Sequence, residues 1–341
     1  MNAGLKPSSK DAVKHVAPAK PWLKTPSKVV ELLNLRDTIN ECDLVLVVCK
    51  HGEIMSLINK FDGEEAIVQW KGSVTVPRMV NNGETRLAHA SVYPSRGEMY
   101  FTINPPSEGI FVAELAEIAQ SKGPVEMKRF DKGYASPLES DRLFNGIVVD
   151  IENQAILCCD QSRKRSVGVW SVMDGRIHTE VMMTKTDDTG LFRPYTAAVH
   201  AVTIKGKRCQ LLAVADLSNS TVQLFLMKKP RPGSQSFLEY EFLRTLASPG
   251  TLVGSVYQPQ GVYFDPNGHL LVADGGNHRI QIFSADLPDD PVKGVLWDSF
   301  TTSTMGGFSE PVTVLSALEK KTSKPVILTG LHEDREVLLF K

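Results

Sequence analysis

The chain has 341 residues and a formal net charge of −1, with 42% apolar and 23% charged residues, a balance that excludes disordered and collagen-like proteins. No apolar run approaches the ~18 residues of a transmembrane helix, so we expect no membrane insertion. Because the net charge is close to zero, nucleic-acid binding would require a local basic patch. The five cysteines form no CxxC pair and lie mostly in apolar runs, which indicates buried free thiols in a reducing compartment.

Residues 1–28 form a basic, proline-rich segment that contains six lysines, four prolines and a single acid, Asp11. The segment lacks the apolar stretch of a secretory signal, and it lacks the arginines that are typical of mitochondrial presequences. We therefore expect an intracellular protein, with the cytoplasm favoured and import into a mitochondrion or another organelle as the alternative. Residues 29–341 are expected to form one domain.

From residue 29 onward, short β-prone runs recur in groups of three. The residues that precede the first run of each group are Lys28, His89, Asn145, His200, Gln260 and Glu310, at successive spacings of 61, 56, 55, 60 and 50. Between the groups lie candidate fourth strands, namely AIVQW, VEMKRF, IHTEVMM, LEYEFLRTL and KGVLWDSF. A helix is predicted at Glu114–Lys122, and the run Val29–Leu35 is either a first strand or a helical turn.

The group at Pro259–Phe283 is the clearest. Its runs GVYF, HLLVA and RIQIF are joined by the turn sequences DPNG and DGGN, which predicts an antiparallel meander. The segment resembles the NHL repeat, of which it keeps Gly261, Val262, Asp265, Gly268, Val272, Asp274, Asn277, Arg279 and Phe283. NHL repeats are blades of β-propellers, so the resemblance implies an all-β propeller. The weaker copies predict six blades, and five blades with a helical N-terminal cap is the alternative.

The last group ends at Phe340 and leaves no room for a fourth strand. Propellers avoid an open sheet edge by borrowing a strand from the other terminus. We therefore expect part of residues 10–24, with DAVKHVAP as the candidate, to supply the outer strand of the last blade.

In a propeller, the first strands line a central channel and enter it from one face, which we call the ring face. The residues that precede them are therefore expected in a ring at the channel mouth, with Asp160, Asp216 and Asp274 nearby. His89, His200 and Glu310 could ligate zinc or calcium there, as zinc-dependent amidating lyases and calcium-dependent lactonases bind metals near the channel. The longer signatures of both enzyme groups are missing, and the alternative is a polar channel mouth with no cofactor.

The repeat motif has a structural interpretation. Asp216, Asn219, Asp274 and Asn277 lie where their side chains can satisfy N–H groups of turns. Arg279 is expected to pair with an acid of a neighbouring blade.

A basic patch is predicted on the face opposite the ring, in two loops of blade four. It comprises Lys205, Lys207, Arg208, Lys228, Lys229 and Arg231. The patch could contact phosphates, with Phe237 or Tyr240 stacking on bases. The alternative is that these are solvated loops.

No G-x-S-x-G motif and no phosphate-binding loop is present, so no catalytic residue is assigned. Our first hypothesis is a non-enzymatic scaffold that binds protein partners in a larger assembly through the ring face, where long inserts precede the first strands. The second is a metal-dependent hydrolase or lyase with its site at the channel mouth. The third is an RNA-binding NHL propeller.

Overall fold

A computed structural model describes residues 21–37, 42–58, 66–77, 85–103, 109–131, 143–162, 165–182, 192–204, 207–228, 238–284, 295–301, 310–318, 325–331 and 334–340. These residues form six β-sheets whose first strands are neighbours around a common axis. The chain is therefore an all-β, six-bladed β-propeller, as the spacing of the copies predicts.

The elements are given in chain order. The short strand β1 is Leu23–Lys24, and blade one contains β2 (Val29–Asp37), β3 (Cys42–Cys49), β4 (Glu53–Ile58) and β5 (Ile67–Thr75). Blade two contains β6 (Leu87–Tyr93), β7 (Glu98–Ile103), β8 (Ile110–Glu114), α1 (Leu115–Gln120), β9 (Val125–Glu126) and β10 (Lys128–Arg129). Blade three contains β11 (Phe144–Asp150), β12 (Ala155–Asp160), β13 (Ser166–Ser171) and β14 (Ile177–Met182). Blade four contains β15 (Pro194–Ile204), β16 (Lys207–Asp216), β17 (Thr221–Lys228), β18 (Glu239–Pro249) and β19 (Ser255–Val256). Blade five contains β20 (Pro259–Phe264), β21 (His269–Asp274), β22 (Arg279–Ser284) and β23 (Val295–Thr301), and blade six contains β24 (Pro311–Leu318), β25 (Pro325–Leu331) and β26 (Glu336–Phe340).

The ring of blades is closed by the N-terminal strand, as expected. β1 pairs antiparallel with β26, with Leu23 opposite Val337. The indole of Trp22 is 3% exposed in the apolar cluster between blades six and one. The candidate closing sequence DAVKHVAP lies outside the described residues, and the run that begins at Val29 is a strand and not a helical turn.

The core is divided into six apolar clusters, and each lies between two neighbouring blades. This division follows from the strand patterns, because a blade that alternates inward and outward residues has two faces and both are covered by neighbours. The second strands of blades three to five are accordingly almost continuous apolar runs, such as AILCC in β12. A closed ring needs no other core.

Every innermost strand carries a β-bulge within its first residues, at the ring face. The register shifts lie between Val29 and Glu31, Leu87 and His89, Phe144 and Ile147, Pro194 and Thr196, Pro259 and Gly261, and Pro311 and Thr313. A bulge turns the side chains beside it out of the normal alternation. At the bulge of β20, Gly261 permits close contact between blades five and six, since a Cβ at this position would lie 2.8 Å from the carbonyl oxygen of Val312.

Blade four departs from the repeat template. The sequence places its first strand after His200, but β15 begins at Pro194, which pairs with Asp216. The β15–β16 hairpin extends several residues further at its tip than the first hairpin of blade five. A repeat template that is aligned on the tip turn therefore places the start of the first strand several residues too late in the chain. His200 is consequently the seventh residue of β15 instead of the residue that precedes it.

An insert in blade two covers the outer edge of blade one. α1, which the sequence predicts within Glu114–Lys122, packs against β5, and β9 adds to β5 as a parallel fifth strand. The contact is close, because a Cβ on Gly72 would lie 2.3 Å from the backbone oxygen of Ile118. Only glycine fits at this position without displacing α1.

Candidate functional site

The six innermost strands enclose a central channel of about 200 Å³. Its wall is mainly aliphatic, with Leu33, Val92, Val148, Val199 and Val262 among the lining residues. Aliphatic side chains offer neither hydrogen bonds nor metal ligands. The polar side chains of the lining are those of Glu31, Asn34, Ser91, Thr196 and Tyr263, of which Glu31 lies at the ring-face mouth.

Two carboxylates are held at this mouth by neighbouring blades. Glu310 accepts a hydrogen bond from the amide of Gln260, with 2.8 Å between Nε2 and Oε2. Glu31 accepts a hydrogen bond from the hydroxyl of Thr313 at 2.6 Å, and its other oxygen lies 2.9 Å from Nδ1 of His89. The side chains of His89 and Glu31 are only 4% and 16% exposed. These bonds link blades one, two, five and six around the mouth.

Tyr195 of blade four contacts the His89 side of this arrangement. Its ring meets that of His89 edge to face, with 5.6 Å between the ring centroids. Burial raises the pKa of the Tyr195 hydroxyl, and the negative charges of Glu31 and Glu310 raise it further. Both carboxylates therefore act on the same phenol.

The ring expected from the sequence is assembled in part. Gln260 and Glu310 are hydrogen-bonded to each other, His89 contacts Glu31 and Tyr195, and Asn145 is the second residue of β11 at the same end of the channel. Lys28 precedes β2 at the ring face. His200 does not lie with them.

Sequence reasoning missed Glu31, Tyr195 and Thr313. It placed the mouth at the residue before each first strand, whereas the bulges bring the second or third residue of the strand to the mouth. A signal was available, because each missed residue is a polar or aromatic residue at the second or third position of its strand, as Glu31 is in VVELL.

His200 lies toward the opposite face, which corrects its predicted placement. Its ring stacks on Phe264 with 5.3 Å between centroids, beneath the turn at Gly268. Burial lowers the pKa of this imidazole, and Asp265 and Glu152 partly oppose that shift. The proposed ligands His89, His200 and Glu310 therefore do not converge, and the described part of the chain contains no cluster of three His, Cys, Asp or Glu suited to a metal ion.

The NHL motif of blade five forms a buried network. The carboxylate of Asp274, which is fully buried, accepts hydrogen bonds from the side chains of Asn277, Arg279 and Gln281 and from the backbone N–H of Tyr257. Arg279 thus pairs with an acid of its own blade, and not of a neighbouring blade as expected. The distance between Nε of Arg279 and Oδ2 of Asp274 is 2.7 Å.

The same network holds the loop that connects blades four and five, residues 250–257. Arg279 donates to the carbonyl oxygens of Thr251, Leu252 and Ser255. Asn277 donates to the carbonyl of Gly250, and Gln281 accepts from the N–H of Gly254. We call residues 250–257 the clamped loop, because several of its backbone groups are held by side chains of blade five.

The clamped loop exposes two large apolar side chains at the ring face. Leu252 is 78% exposed and Tyr257 is 47% exposed, although the backbone of both is fixed. Tyr257 lies three residues before Gln260, so the loop borders the channel mouth.

Blade four repeats part of this network. Asp216, which is fully buried, accepts hydrogen bonds from the backbone N–H groups of Arg193, Ser218 and Asn219 and from the side chain of Asn219. The carboxylate therefore closes its turn as the sequence interpretation expects. Thr221 stands at the position of Arg279, and Gln223 stands at the position of Gln281.

The described members of the basic patch are engaged by acids. Arg208 pairs with Glu152 and Lys228 pairs with Glu241, both on the face opposite the ring. The side chains of Lys205, Lys207, Lys229 and Arg231, and that of Phe237, lie outside the described residues. Tyr240 is partly buried, and its hydroxyl oxygen is buried.

A groove of about 610 Å³ lies at the ring-face rim of blade one. Its lining includes three exposed lysines, Lys24, Lys71 and Lys122, contributed by β1, β5 and the insert of blade two. The one carboxylate in the lining, that of Glu53, accepts a hydrogen bond from the hydroxyl of Ser27 at 2.7 Å.

Comparison with known proteins identifies the repeat and the fold. The family model of the NHL repeat matches residues 256–283. The chain is similar to the structure described as the Myceliophteria thermophila Cps50 (Swd1) beta-propeller domain, with a TM-score of 0.55, 10% sequence identity and coverage of 92% of this chain and 83% of that one. A sequence search of curated proteins finds no significant match. Within the described residues, no helix is long and apolar enough to cross a membrane.

Proposed function

This chain is an NHL-repeat β-propeller, and on that premise we propose that it is a non-catalytic scaffold subunit whose protein partner docks on the ring face. The fold by itself supports only a general role in protein interaction, since one fold serves many functions. The choice of the ring face and of a protein partner depends on the surface described above.

The clamped loop is the observation that carries this proposal. An exposed leucine and tyrosine on a freely moving loop would lose conformational entropy on binding, and this loss opposes affinity. Here the side chains of Asp274, Asn277, Arg279 and Gln281 have already fixed the backbone. Fixed apolar and aromatic side chains beside a polar rim are typical of the centre of a protein interface.

The other hypotheses have less support. A metal-dependent hydrolase or lyase would need His89, His200 and Glu310 to converge, and His200 lies toward the opposite face. RNA binding through blade four would need free cations, and the described members Arg208 and Lys228 already pair with acids.

The test is quantitative co-purification from cells that express tagged forms of the full chain. The ring-face variant replaces Leu252 and Tyr257 with serine. The matched control replaces Ile151 and Met173 with serine, since these side chains are also exposed, at 49% and 72%, but lie in turns on the opposite face. Both variants remove two exposed apolar side chains and leave the core intact.

We expect partners of the wild-type protein to be recovered equally with the control variant and at least about tenfold less with the ring-face variant, which corresponds to ~1.4 kcal/mol. Equal recovery with all three forms would refute the ring face as the binding surface. Loss with the control variant alone would move the interface to the opposite face.

A further inference from the structure

A groove lined by lysines lies between blades six and one at the ring-face rim. Residues 24–26, at the end of β1 and just after it, form one wall, and β4 and β5 of blade one form the other. Residues 121–123, which follow α1, form the outer side. We call this cleft of about 610 Å³ the lysine groove, after Lys24, Lys71 and Lys122.

The walls of the lysine groove are held in place by hydrogen bonds of their own residues. In the first wall, the N–H of Thr25 donates to the carbonyl oxygen of Arg335 and its hydroxyl donates to that of Ser27, both at 2.8 Å. On the outer side, the hydroxyl of Ser121 donates to the carbonyl oxygen of Gly123 at 2.7 Å and accepts from the N–H of Gly123 at 3.2 Å. Since the groove is formed before a ligand enters, binding costs little conformational entropy.

Lys71 and Lys122 supply positive charge that the described residues leave available. Both side chains are exposed, and within the described ranges neither forms an ion pair or a side-chain hydrogen bond. Glu53, the one carboxylate of the described lining, is bonded to the hydroxyl of Ser27 instead. Exposed ammonium groups that converge on a groove favour the binding of negatively charged groups.

Acids that stand near the groove offset only part of this charge. Lys24 stands opposite Glu336 in the pairing of β1 with β26. Burial raises the pKa of Glu336, Asp334 raises it further and Lys24 opposes the shift. Glu117 and Glu126 of the blade-two insert are exposed, but neither lines the groove. Lys24 is therefore partly neutralised, and the other two lysines carry the charge that a ligand would meet.

The lining favours an acidic peptide over a phosphate or a nucleic acid. Among the described lining residues there is no arginine and no aromatic side chain, whereas arginine forks suit phosphate and aromatic rings stack on bases. Lys71 and Lys122 stand on different walls, which suits carboxylates spaced along a chain better than one compact anion. Pro26 and Met55 add apolar groups to the lining, which suits an aliphatic side chain.

We propose that the lysine groove binds an acidic segment of a protein partner. Aspartate or glutamate side chains of the segment contact Lys71 and Lys122, and an aliphatic side chain packs on Pro26 and Met55. This names the chemistry of a partner on the ring face and so rests on the function proposed above. Peptide binding is measured on the isolated chain, however, and it can succeed where docking through the clamped loop fails.

The test uses labelled peptides on the purified full chain. The acidic probe is acetyl-Glu-Asp-Leu-Glu-Asp-amide, and its neutral match is acetyl-Gln-Asn-Leu-Gln-Asn-amide. A short oligouridylate of similar charge is the nucleic-acid probe. Binding is measured by fluorescence anisotropy at low and at physiological ionic strength.

The groove variant is Lys71→Gln/Lys122→Gln, which removes two exposed charges without breaking a contact among the described residues. The charge control, Arg208→Gln/Lys228→Gln, removes two positive charges from the opposite face. Glu53→Gln removes the carboxylate of the lining and keeps an acceptor for the hydroxyl of Ser27. Thermal unfolding shows that each form is folded.

We expect the acidic peptide to bind at least about tenfold more tightly than its neutral match at low ionic strength, and the preference to shrink as salt screens the exposed charges. The affinity should fall about fivefold in the groove variant, rise about twofold in Glu53→Gln and stay unchanged in the charge control. The proposal is overturned if the two peptides bind equally, if the groove variant binds as well as the charge control or if Glu53→Gln does not bind more tightly.

Two further outcomes separate this site from the alternatives. Tighter binding of the oligouridylate than of the acidic peptide would overturn the proposal in favour of a nucleic acid. The Leu252→Ser/Tyr257→Ser form should bind the acidic peptide as the wild type does, which keeps the lysine groove even if partner recovery does not depend on the clamped loop. Loss of the peptide in that form would place it on the clamped loop and would overturn the proposal.

Discussion

Replacing Arg279 with alanine tests whether the NHL motif holds the clamped loop. The guanidinium bonds to Asp274 and to three backbone carbonyls of the loop, and its side chain is only 9% exposed. The substitution removes the guanidinium donor from all three carbonyls, although that of Leu252 keeps the N–H of Ser255 and that of Ser255 keeps the side-chain amide of Gln281. It also leaves the fully buried carboxylate of Asp274 without a counter-charge.

The expected loss in the free energy of unfolding is about 3–5 kcal/mol, the usual cost of removing one partner of a buried ion pair. Because Asp274 keeps the amides of Asn277 and Gln281 and the N–H of Tyr257, we expect the lower end of this range. Arg208→Ala is the matched control. Its pair with Glu152 is 73% and 39% exposed, so the loss should be about 0–1 kcal/mol.

Urea unfolding followed by tryptophan fluorescence measures both losses. Amide hydrogen exchange of residues 250–257 then shows whether the loop has been released in the folded protein. A loss below about 1 kcal/mol for Arg279→Ala, together with unchanged exchange in the loop, would refute the view that this arginine holds it.

Three further outcomes follow from the fold. Trp22→Ala removes the indole that closes the ring, and it should lower the free energy of unfolding by about 3–5 kcal/mol in the same urea assay; a loss below about 1 kcal/mol would mean that closure does not depend on it. The pKa of His200 is lowered by burial, so the unfolded chain binds more protons below pH of about 6.5 and stability should fall as the pH falls through that value. His200→Gln should weaken this dependence, and an unchanged dependence would contradict it. Burial, aided by Glu53, raises the pKa of Cys49 to about 12, so iodoacetamide at neutral pH should alkylate this thiol only after unfolding, as mass spectrometry of the native protein can check.

The blades could be predicted because short-range features of the sequence, such as turn residues, determine their hairpins. Turn residues such as those at Asp265 and Gly268 determine the hairpin of blade five, since the carboxylate accepts N–H groups of the turn and the glycine has a φ of +85°. The closing strand could be predicted because an incomplete last blade needs a partner. Its position at Leu23–Lys24 depends on the burial of Trp22 between blades six and one, which a linear pattern does not reveal.

The site was less predictable because it depends on irregularities. The bulges bring residues inside the strands to the channel mouth. Glu31 and Tyr195 therefore lie there, and not the residues that the sequence pattern predicts for their blades. The long hairpin of blade four displaced His200 to the opposite face. The hydrogen bonds of Arg279 to backbone carbonyls also could not be predicted from the sequence, because every residue has a carbonyl group.

The native mass of the protein in an extract of its source cells tests the scaffold function most directly. Size-exclusion chromatography with specific detection is run on the wild-type chain, on Leu252→Ser/Tyr257→Ser and on the control Ile151→Ser/Met173→Ser. We expect the wild type and the control to elute in a particle well above the 37.5 kDa of the chain, and the ring-face variant to elute near that mass. Elution of the wild type as a 37.5 kDa monomer would contradict a stable larger assembly.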